Sequence, residues 1–442
     1  MTFEEALGNA ILGIDTLWGG DVMSASGTGR FIADSWFSDA PLPAAYTDAA
    51  AERVRGSGGA GAKQPDTGAI GEYLSRVDIP GAMAQVRRAA ESFDPLRREY
   101  LDGLVVCFET MWDLAMEMLG RGAPVPYTRC VEASTGRPPE PSDPAAHRDR
   151  LAELLGVPAG DLARLLEASD AWRKLHRAPM ASVGLLGAAV IALFDELTVR
   201  HMLPHLPLEL HEVPRANIEF LPIRDAWFSG SMNYLGRKRR PNGRPEYEAT
   251  YEINASLEIS LPEFFQLVSH EVVPGHVTTF AYLQNLFYRG KAGFEASVLT
   301  MNTRAATLFE GIANNAILMA YGVSEPAQLP DRDLETGVLL ALLQDDAKNQ
   351  SSYLTWGEGV AQPEVAATLR REFLVTAERA DKLSGAWGRH PLLGRMYLPA
   401  YRAGTRKVAD LRRVHPADRV IPALYGAAGV VDIVTIDRVL AG

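Results

Sequence analysis

The sequence predicts a mainly α-helical fold with one small antiparallel β-sheet, placed directly before a helix that carries polar side chains. Apolar residues recur at helical spacing over residues 79–119, 151–176 and 179–203, and this spacing returns over residues 260–408. Residues 215–259 instead alternate in polarity or are rich in β-formers. A single sheet inserted into a helical chain is therefore expected.

Composition excludes several classes of protein. The 442 residues are 47% apolar and 22% charged, which is an ordinary globular balance. The net charge of −11 argues against nucleic acid or an anionic membrane as a partner. The two cysteines, Cys107 and Cys130, allow neither a disulfide framework nor a thiolate zinc cluster. We expect a helical amino-terminal region over residues 1–210 and a site-bearing region over residues 211–442, packed as one body with a central cleft.

The apolar segments indicate a soluble cytoplasmic protein. The amino terminus has Glu4 and Glu5 and no basic segment, so it does not resemble a signal peptide. The longest apolar run, residues 180–194, is 15 residues long and too short to span a bilayer of about 30 Å. It is predicted to be a buried core helix. Glycine-rich residues 55–68 are predicted to be a flexible loop, and six prolines over residues 123–144 exclude a long helix there.

Three strands are predicted in the middle of the chain, over residues 215–223, 226–235 and 247–259. A Pro-Asn-Gly turn at residues 241–243 lies between the last two, and we expect the strands to pair in antiparallel fashion. Ser260 and Glu263 then form a capping box, which predicts that a helix begins immediately after the sheet.

This helix carries the string His270-Glu271-Val-Val-Pro-Gly-His276. In the zinc-peptidase pattern HExxH the histidines are four residues apart and share a helix face. A separation of six residues is about 600° of rotation, which on a regular helix points the two rings roughly 120° apart. A shared metal ion thus requires a break between them, and Pro274-Gly275 is suited to produce one. Without that break, His270 and His276 are separate histidines on a proline-broken helix.

Glu310 is the candidate for a third ligand. It lies in a mostly apolar helical segment, residues 294–321, where a buried carboxylate must be paired or bound to a metal ion. If it faces solvent, it is an ordinary surface glutamate. Two histidines, one carboxylate and an open position for water form a typical catalytic zinc shell, and Glu271 beside His270 is placed to act as general base.

These features resemble the uncharacterised-domain family numbered 885 in the DUF series. The HExxPGH string, Glu310-Gly311 and Gln350-x-x-Tyr353 occur in that order, and residues 242–254 also resemble the family's stretch before the motif. The resemblance covers about residues 229–353. Members are grouped with gluzincin metallopeptidases, which implies a gluzincin-like helical body, Zn²⁺ held by His270, His276 and Glu310, and Glu271 as general base.

The chain departs from the family beside the metal ligands. The family usually has a second histidine and then glutamine where this chain has residues 277–280, Val-Thr-Thr-Phe, and it has tryptophan where this chain has Ile312. The expected metal shell is unaffected by these changes. They leave open a substrate other than a peptide.

Further candidates lie around this core. Tyr353 is the expected donor to the substrate oxyanion, and Gln350 would share its helix face. Further candidates for this donor role, or for lining the opposite side of the site, are His390, Tyr397, Tyr401 and Arg402. A weaker metal candidate is formed by His201, His205 and His211. A basic cluster, residues 237–240 with Arg244, is either a solvated hairpin tip or a site for a substrate anion.

The sequence thus predicts a zinc hydrolase that cleaves an amide or peptide bond. Two alternatives stay open, namely a zinc enzyme of specialised metabolism that hydrolyses or rearranges a small non-peptide substrate, and an inactive binding scaffold. The expected partner is a peptide or small molecule, with no nucleic acid and no membrane, and the pattern favours no particular oligomeric state.

Overall fold

The computed structural model describes residues 1–223, 230–254, 258–427 and 429–442, apart from the side chain of Thr28. Helices form most of this part of the chain, which confirms the mainly α class. Strand β1 (Ala33–Trp36) follows the first helix. The amino-terminal helices are α1 (Phe3–Leu17), α2 (Ala44–Thr47), α3 (Ala49–Gly56), α4 (Thr67–Arg76), α5 (Ile79–Ala90), α6 (Pro95–Met118) and α7 (Tyr127–Thr135).

Local sequence explains where these helices begin. Asp94 accepts a hydrogen bond from the backbone of Arg97 and Pro95 occupies the first turn, so the helix predicted over residues 79–119 divides in two. The flexible loop predicted over residues 55–68 is wrong. A 3₁₀ turn at Gly59–Gly61 is packed against the end of α1, where a Cβ on Gly59 would lie 2.4 Å from the Gly19 nitrogen. Glycine there allows close packing rather than mobility.

The middle of the chain contains helices and the predicted sheet. The helices are α8 (Ala145–Leu155), α9 (Leu162–Leu175), α10 (Val183–His201) and α11 (Leu208–His211). They are followed by β2 (Ile218–Ile223), β3 (Gly230–Tyr234) and β4 (Ala249–Asn254). Parts of two predicted strands, residues 226–229 and 255–257, lie outside the described residues.

The pairing of these strands differs from the prediction. The order is β2-β4-β3, with β3 antiparallel to β4 and β2 parallel to it, in the register Ile218 opposite Ala249. The expectation of a purely antiparallel sheet is therefore wrong. Polarity alternation identifies a strand but not its neighbour, and here β4 inserts between two strands that are consecutive in sequence.

The carboxy-terminal half supplies the helices of the candidate site. Strand β5 (Val298–Thr300) pairs with β1 in antiparallel fashion, a contact that the sequence analysis missed. Short π-helical turns occur at Tyr353–Gly357, Leu383–Trp387 and Leu393–Tyr397. The helices are α12 (Leu261–Glu271), α13 (His276–Tyr288), α14 (Arg304–Tyr321), α15 (Arg332–Ser352), α16 (Gln362–Phe373), α17 (Ala377–Lys382), α18 (Leu398–Val414), α19 (Ala417–Leu424) and α20 (Ile436–Ala441).

Two large apolar clusters hold these elements together. One joins α10, the β2-β4-β3 sheet, α12, α13 and the last helices. The other is built mainly from α1 to α7 and includes Leu392 and Met396 from the carboxy-terminal half. The division of the chain near residue 210 stays a prediction.

Helix α10 differs from the buried core helix predicted over residues 180–194. Val190 and Phe194 are buried, whereas Leu185 is 80% exposed. The helical stretch Met180–His205 is long and apolar enough to cross a membrane by length and composition, and 33% of its most apolar window is buried. Its outer face is as apolar as its inner face, so periodicity could not show which side packs against the protein.

Candidate metal centre

The helix that carries the first histidine breaks where the sequence predicts. Its capping box is present, with the Glu263 nitrogen donating to Ser260 Oγ over 3.3 Å. Helix α12 ends at Glu271, and α13 begins at His276 after the Pro274-Gly275 pair. This break removes the 120° divergence expected of a regular helix. The two imidazole centroids lie 4.8 Å apart.

Gly275 allows the chain to turn this tightly. Its nitrogen donates to the carbonyl oxygen of Ser269 over 3.0 Å. A Cβ on Gly275 would lie only 1.8 Å from the carbonyl oxygen of His270. A side chain at this position therefore collides with backbone, which cannot move without displacing α12.

Three ligand atoms converge from three helices. His270 Nε2 lies 3.5 Å from Glu310 Oε2, and His276 Nε2 lies 3.8 Å from Glu310 Oε1. One ligand atom from each residue can be chosen so that all lie within 4.8 Å of one another. Glu310 is 4% exposed, so its buried position on α14 agrees with the ligand interpretation rather than with a surface glutamate.

These residues fit a zinc ion. Ligands at about 2.0–2.1 Å in tetrahedral geometry are roughly 3.3 Å apart, close to the separations found here. Glu310 Oε2 is buried and has no hydrogen-bond partner among the described residues, as expected of an atom reserved for a cation. Burial raises the pKa of Glu310 to about 7 and lowers the pKa of His276 to about 3. A divalent cation would restore the carboxylate, and the neutral imidazole is already the form that binds metal.

A hydrogen-bonded chain orients His270. Its Nδ1 lies 2.7 Å from Asn314 Oδ1, and Asn314 Nδ2 donates to Thr405 Oγ1 over 2.8 Å. Because an amide oxygen only accepts, Nδ1 carries the proton and Nε2 keeps its lone pair for a metal ion. Asn314 was not among the residues predicted from the sequence, although its position one helical turn after Glu310 could have indicated it.

Two of the predicted reserve residues reach Glu310. The Tyr397 hydroxyl donates to Glu310 Oε1 over 2.6 Å, and the Tyr401 hydroxyl donates to that of Tyr397 over 3.1 Å. Tyr401 also lines a cavity of about 210 Å³, as do His270 and Glu271. Tyr397 is thus placed to hold Glu310, and Tyr401 is placed to meet a bound molecule.

Glu271 has the environment of a proton acceptor. Burial raises its pKa to about 8, and the negative charge of Glu310 adds to the effect. It adjoins His270 on α12 and lines the cavity. A bound cation would lower the pKa of Glu271 by favouring the carboxylate, which is the form that accepts a proton.

The other predicted site residues lie elsewhere. Tyr353 interacts with Glu358 and does not line the cavity, so its predicted role as oxyanion donor is not supported by its position. Gln350 Oε1 accepts from the Ser142 nitrogen over 2.8 Å. His390 packs against Trp18 and Phe31, and Arg402 pairs with Asp346 over 3.0 Å. Helical spacing predicted which residues share a helix face, but tertiary packing directs these faces away from the cavity.

The two competing candidate sites, the second histidine group and the basic cluster, lie apart from the metal centre. Within the described ranges, the converging set of metal-binding side chains is His270, His276 and Glu310, and His201, His205 and His211 form no such set. In the basic cluster, Lys238 pairs with Glu248 and Arg239 with Asp39. The cluster does not line the cavity that His270 and Glu271 share.

Lys348 is a further residue that the sequence analysis missed. It lies on α15, is 7% exposed and lines the same cavity. Its Nζ donates to Asp345 Oδ1 over 2.9 Å and lies 3.2 Å from the Tyr401 ring centroid. A lysine and an aspartate three residues apart normally indicate a surface pair, so their burial was not visible in the sequence.

Two solved protein structures have a fold similar to that of this chain. The chain is similar to a candidate lipoprotein of unknown function from Shewanella oneidensis, with a TM-score of 0.52 and 12% identity over 92% of this chain and 80% of that one. It is also similar to a candidate lipoprotein from Colwellia psychrerythraea, with a TM-score of 0.50 and 14% identity over 85% of this chain and 69% of that one. These likenesses show a shared fold. No family model and no curated protein matches the chain.

Substitution of Gly275 tests the break between the helices. We expect Gly275→Ala to weaken zinc binding at least tenfold although no ligand is changed, because the added Cβ displaces the His270 carbonyl. Competition with a chromophoric zinc chelator measures this affinity. Gly243→Ala is the matched control, since a Cβ there meets nothing within 4 Å, and its positive φ affects only the distant turn. Unchanged zinc affinity in Gly275→Ala would show that packing tolerates the added atom.

Proposed function

We propose that this protein is a zinc-dependent hydrolase that cleaves an amide or peptide bond. The observation that carries the proposal is the convergence of His270, His276 and Glu310 beside Glu271, at a cavity large enough for a small substrate. A zinc ion held by these three ligands supplies Lewis acidity, polarising a carbonyl and making water more acidic. The family resemblance and a cytoplasmic location stay predictions.

Glu271 provides the proton transfers. As the oxygen of water bonds to the substrate carbonyl carbon, the Glu271 carboxylate accepts the proton that water releases. When the carbon–nitrogen bond breaks, Glu271 returns this proton to the leaving nitrogen. The products are a carboxylic acid and an amine, and Glu271 ends the cycle ionised.

Tyr401 is the proposed donor to the substrate oxygen. Tyr401 lines the cavity next to Tyr397, whose hydroxyl holds Glu310. The Tyr401 hydroxyl donates its one proton to the Tyr397 hydroxyl here, so the proposed role requires this proton to turn to the substrate oxygen. Negative charge develops on the carbonyl oxygen as the carbon becomes tetrahedral, and a fixed hydroxyl stabilises that charge. The same role was expected of Tyr353, which does not reach the cavity.

Replacing each tyrosine by phenylalanine tests this assignment. We expect Tyr401→Phe to lower kcat by about 10²–10³-fold, the usual effect of deleting one oxyanion donor, with zinc content unchanged. Tyr353→Phe is the matched control and should retain at least about half of the activity, because its hydroxyl interacts with Glu358. The opposite ranking of the two variants would return the role to Tyr353.

A substrate survey tests the function itself. Zinc-loaded protein is incubated with a dipeptide library and with small acyl amides, and release of free amine is measured against metal-stripped protein. We expect zinc-dependent amine release. Turnover restricted to non-peptide amides would favour the specialised-metabolism alternative, which the changed residues 277–280 motivate. Tight zinc binding with no turnover of any amide would favour the binding scaffold.

A further inference from the structure

The cavity that His270 and Glu271 line also carries a buried ammonium group, that of Lys348. Lys348 Nζ has three N–H donors, and the described residues give it one hydrogen-bond acceptor, Asp345 Oδ1. The Tyr401 ring covers another side of this group. Burying a charged lysine is costly unless it is paired, and an internal pair is weak grounds for stability. Unused donors directed at a cavity instead suit a bound anion.

A second cationic side chain lines the same cavity. Arg379 of α17 lines the cavity, and its guanidinium lies 5.8 Å from the Trp387 ring centroid. Burial lowers the pKa of Arg379, and the carboxylates of Glu378, Glu263 and Asp345 act in the opposite direction by favouring its charged form. Lys348 and Arg379 thus bring two cationic side chains to one cavity.

The acidic side chains of the cavity are largely paired with basic groups, and Asp345, which offsets the charge of Lys348, accepts from one of its three N–H donors. Each of four pairs with a basic group within 3.1 Å, which limits its field in the cavity. The four pairs are Glu258 with Arg177, Glu263 with Arg173, Asp345 with Lys348, and Glu378 with Lys382. Glu271 is reserved for proton transfer in the proposed function. A monoanion suits this balance better than a phosphate dianion, which these acidic groups would repel.

We propose that Lys348 and Arg379 form a subsite for a substrate carboxylate. The inference rests on the proposed function and names its substrate class, amides whose amine part bears a free carboxylate close to the scissile bond. These are N-acyl amino acids or the carboxyl-terminal residue of a short peptide. Proximity follows from size, because one cavity of about 210 Å³ is lined by His270, Glu271 and Lys348 together.

Calorimetric titration with two matched probes tests this subsite. N-acetyl-L-phenylalanine carries the carboxylate, and N-acetyl-L-phenylalaninamide replaces it by a neutral amide of the same shape. Both are titrated into metal-stripped protein, so that zinc cannot bind the carboxylate. We expect the acid to bind about 10- to 100-fold more tightly, the usual value of a charge-assisted hydrogen bond. Equal affinity, or a preference seen only after zinc is restored, would overturn the proposal.

Variants assign the preference to Lys348. Lys348→Met should abolish it, and Lys348→Met combined with Asp345→Asn should do the same without leaving a buried carboxylate unpaired. Lys382→Met is the matched control and should keep the preference, because Lys382 lines the same cavity but pairs with Glu378 one turn away. A preference that survives in both Lys348 variants, or is lost equally in Lys382→Met, would refute the assignment.

The outcome is separable from that of the proposed function. Binding is measured without zinc and without turnover, so a failure to hydrolyse any amide leaves the carboxylate preference intact. Conversely, zinc-dependent hydrolysis without a carboxylate preference would support the hydrolase and overturn this subsite.

Discussion

His276→Ala is expected to leave the protein without bound zinc. Zinc sites with four protein ligands bind with about 10–16 kcal/mol, or roughly 3 kcal/mol per ligand, so losing one ligand should weaken binding more than 100-fold. The imidazole of His276 is buried beside Glu310, and water cannot easily replace it. Elemental analysis after dialysis against a weak chelator should give one zinc per wild-type chain and almost none in the variant.

His205→Ala is the matched control for this experiment. His205 belongs to the competing group near the end of α10 and lies outside the converging set. We expect its zinc content to equal that of the wild type. Full zinc content in His276→Ala, or its loss in His205→Ala, would contradict the site and direct attention to the competing histidines. Circular dichroism of both variants checks that the helical fold is retained.

Glu271→Gln should bind zinc normally and lose at least about 100-fold in kcat/KM. The amide keeps the shape of the carboxylate but cannot accept a proton, and positioned general bases contribute typically 10²–10⁴-fold. The base works only when ionised, so wild-type activity should rise with pH through the pKa of Glu271 in the zinc-loaded protein. A bound cation sets this pKa below the raised value that burial and Glu310 give the metal-free site. The residual activity of the variant should lack this acidic limb.

Glu378→Gln provides the comparison for Glu271. Glu378 also lines the cavity, but its carboxylate pairs with Lys382 and is largely exposed. Its loss should change kcat/KM by less than about threefold, because exposed pairs contribute little. Full activity of Glu271→Gln, with zinc still bound, would mean that another group accepts the proton.

The sequence determined the local features of the site. The capping box at Ser260 and the break at Pro274-Gly275 depend on residues within one or two helical turns of each other. Such interactions form from the chain's immediate neighbours, and residue type and spacing therefore predict them. The apolar segment around Glu310 made a ligand role possible but left open a solvent-exposed glutamate, and the structure buries the carboxylate.

Tertiary structure decided which distant residues join these local features. Tyr397 follows Glu310 by 87 residues and reaches it because α18 packs on α14. Tyr353 is also a tyrosine in a helical segment, yet its hydroxyl interacts with Glu358 instead of the metal centre. Spacing along a helix defines a face but not the neighbour of that face, and the strand order β2-β4-β3 was hidden for the same reason.

Tertiary structure also decided which charged side chains are buried. The sequence alone presents Asp345 and Lys348 as an ordinary i, i+3 pair and α10 as an ordinary core helix. Packing instead buries the charged pair beside the candidate metal centre and leaves Leu185 of α10 exposed. Whether a side chain is buried depends on all the elements that surround it, and those elements come from remote parts of the chain.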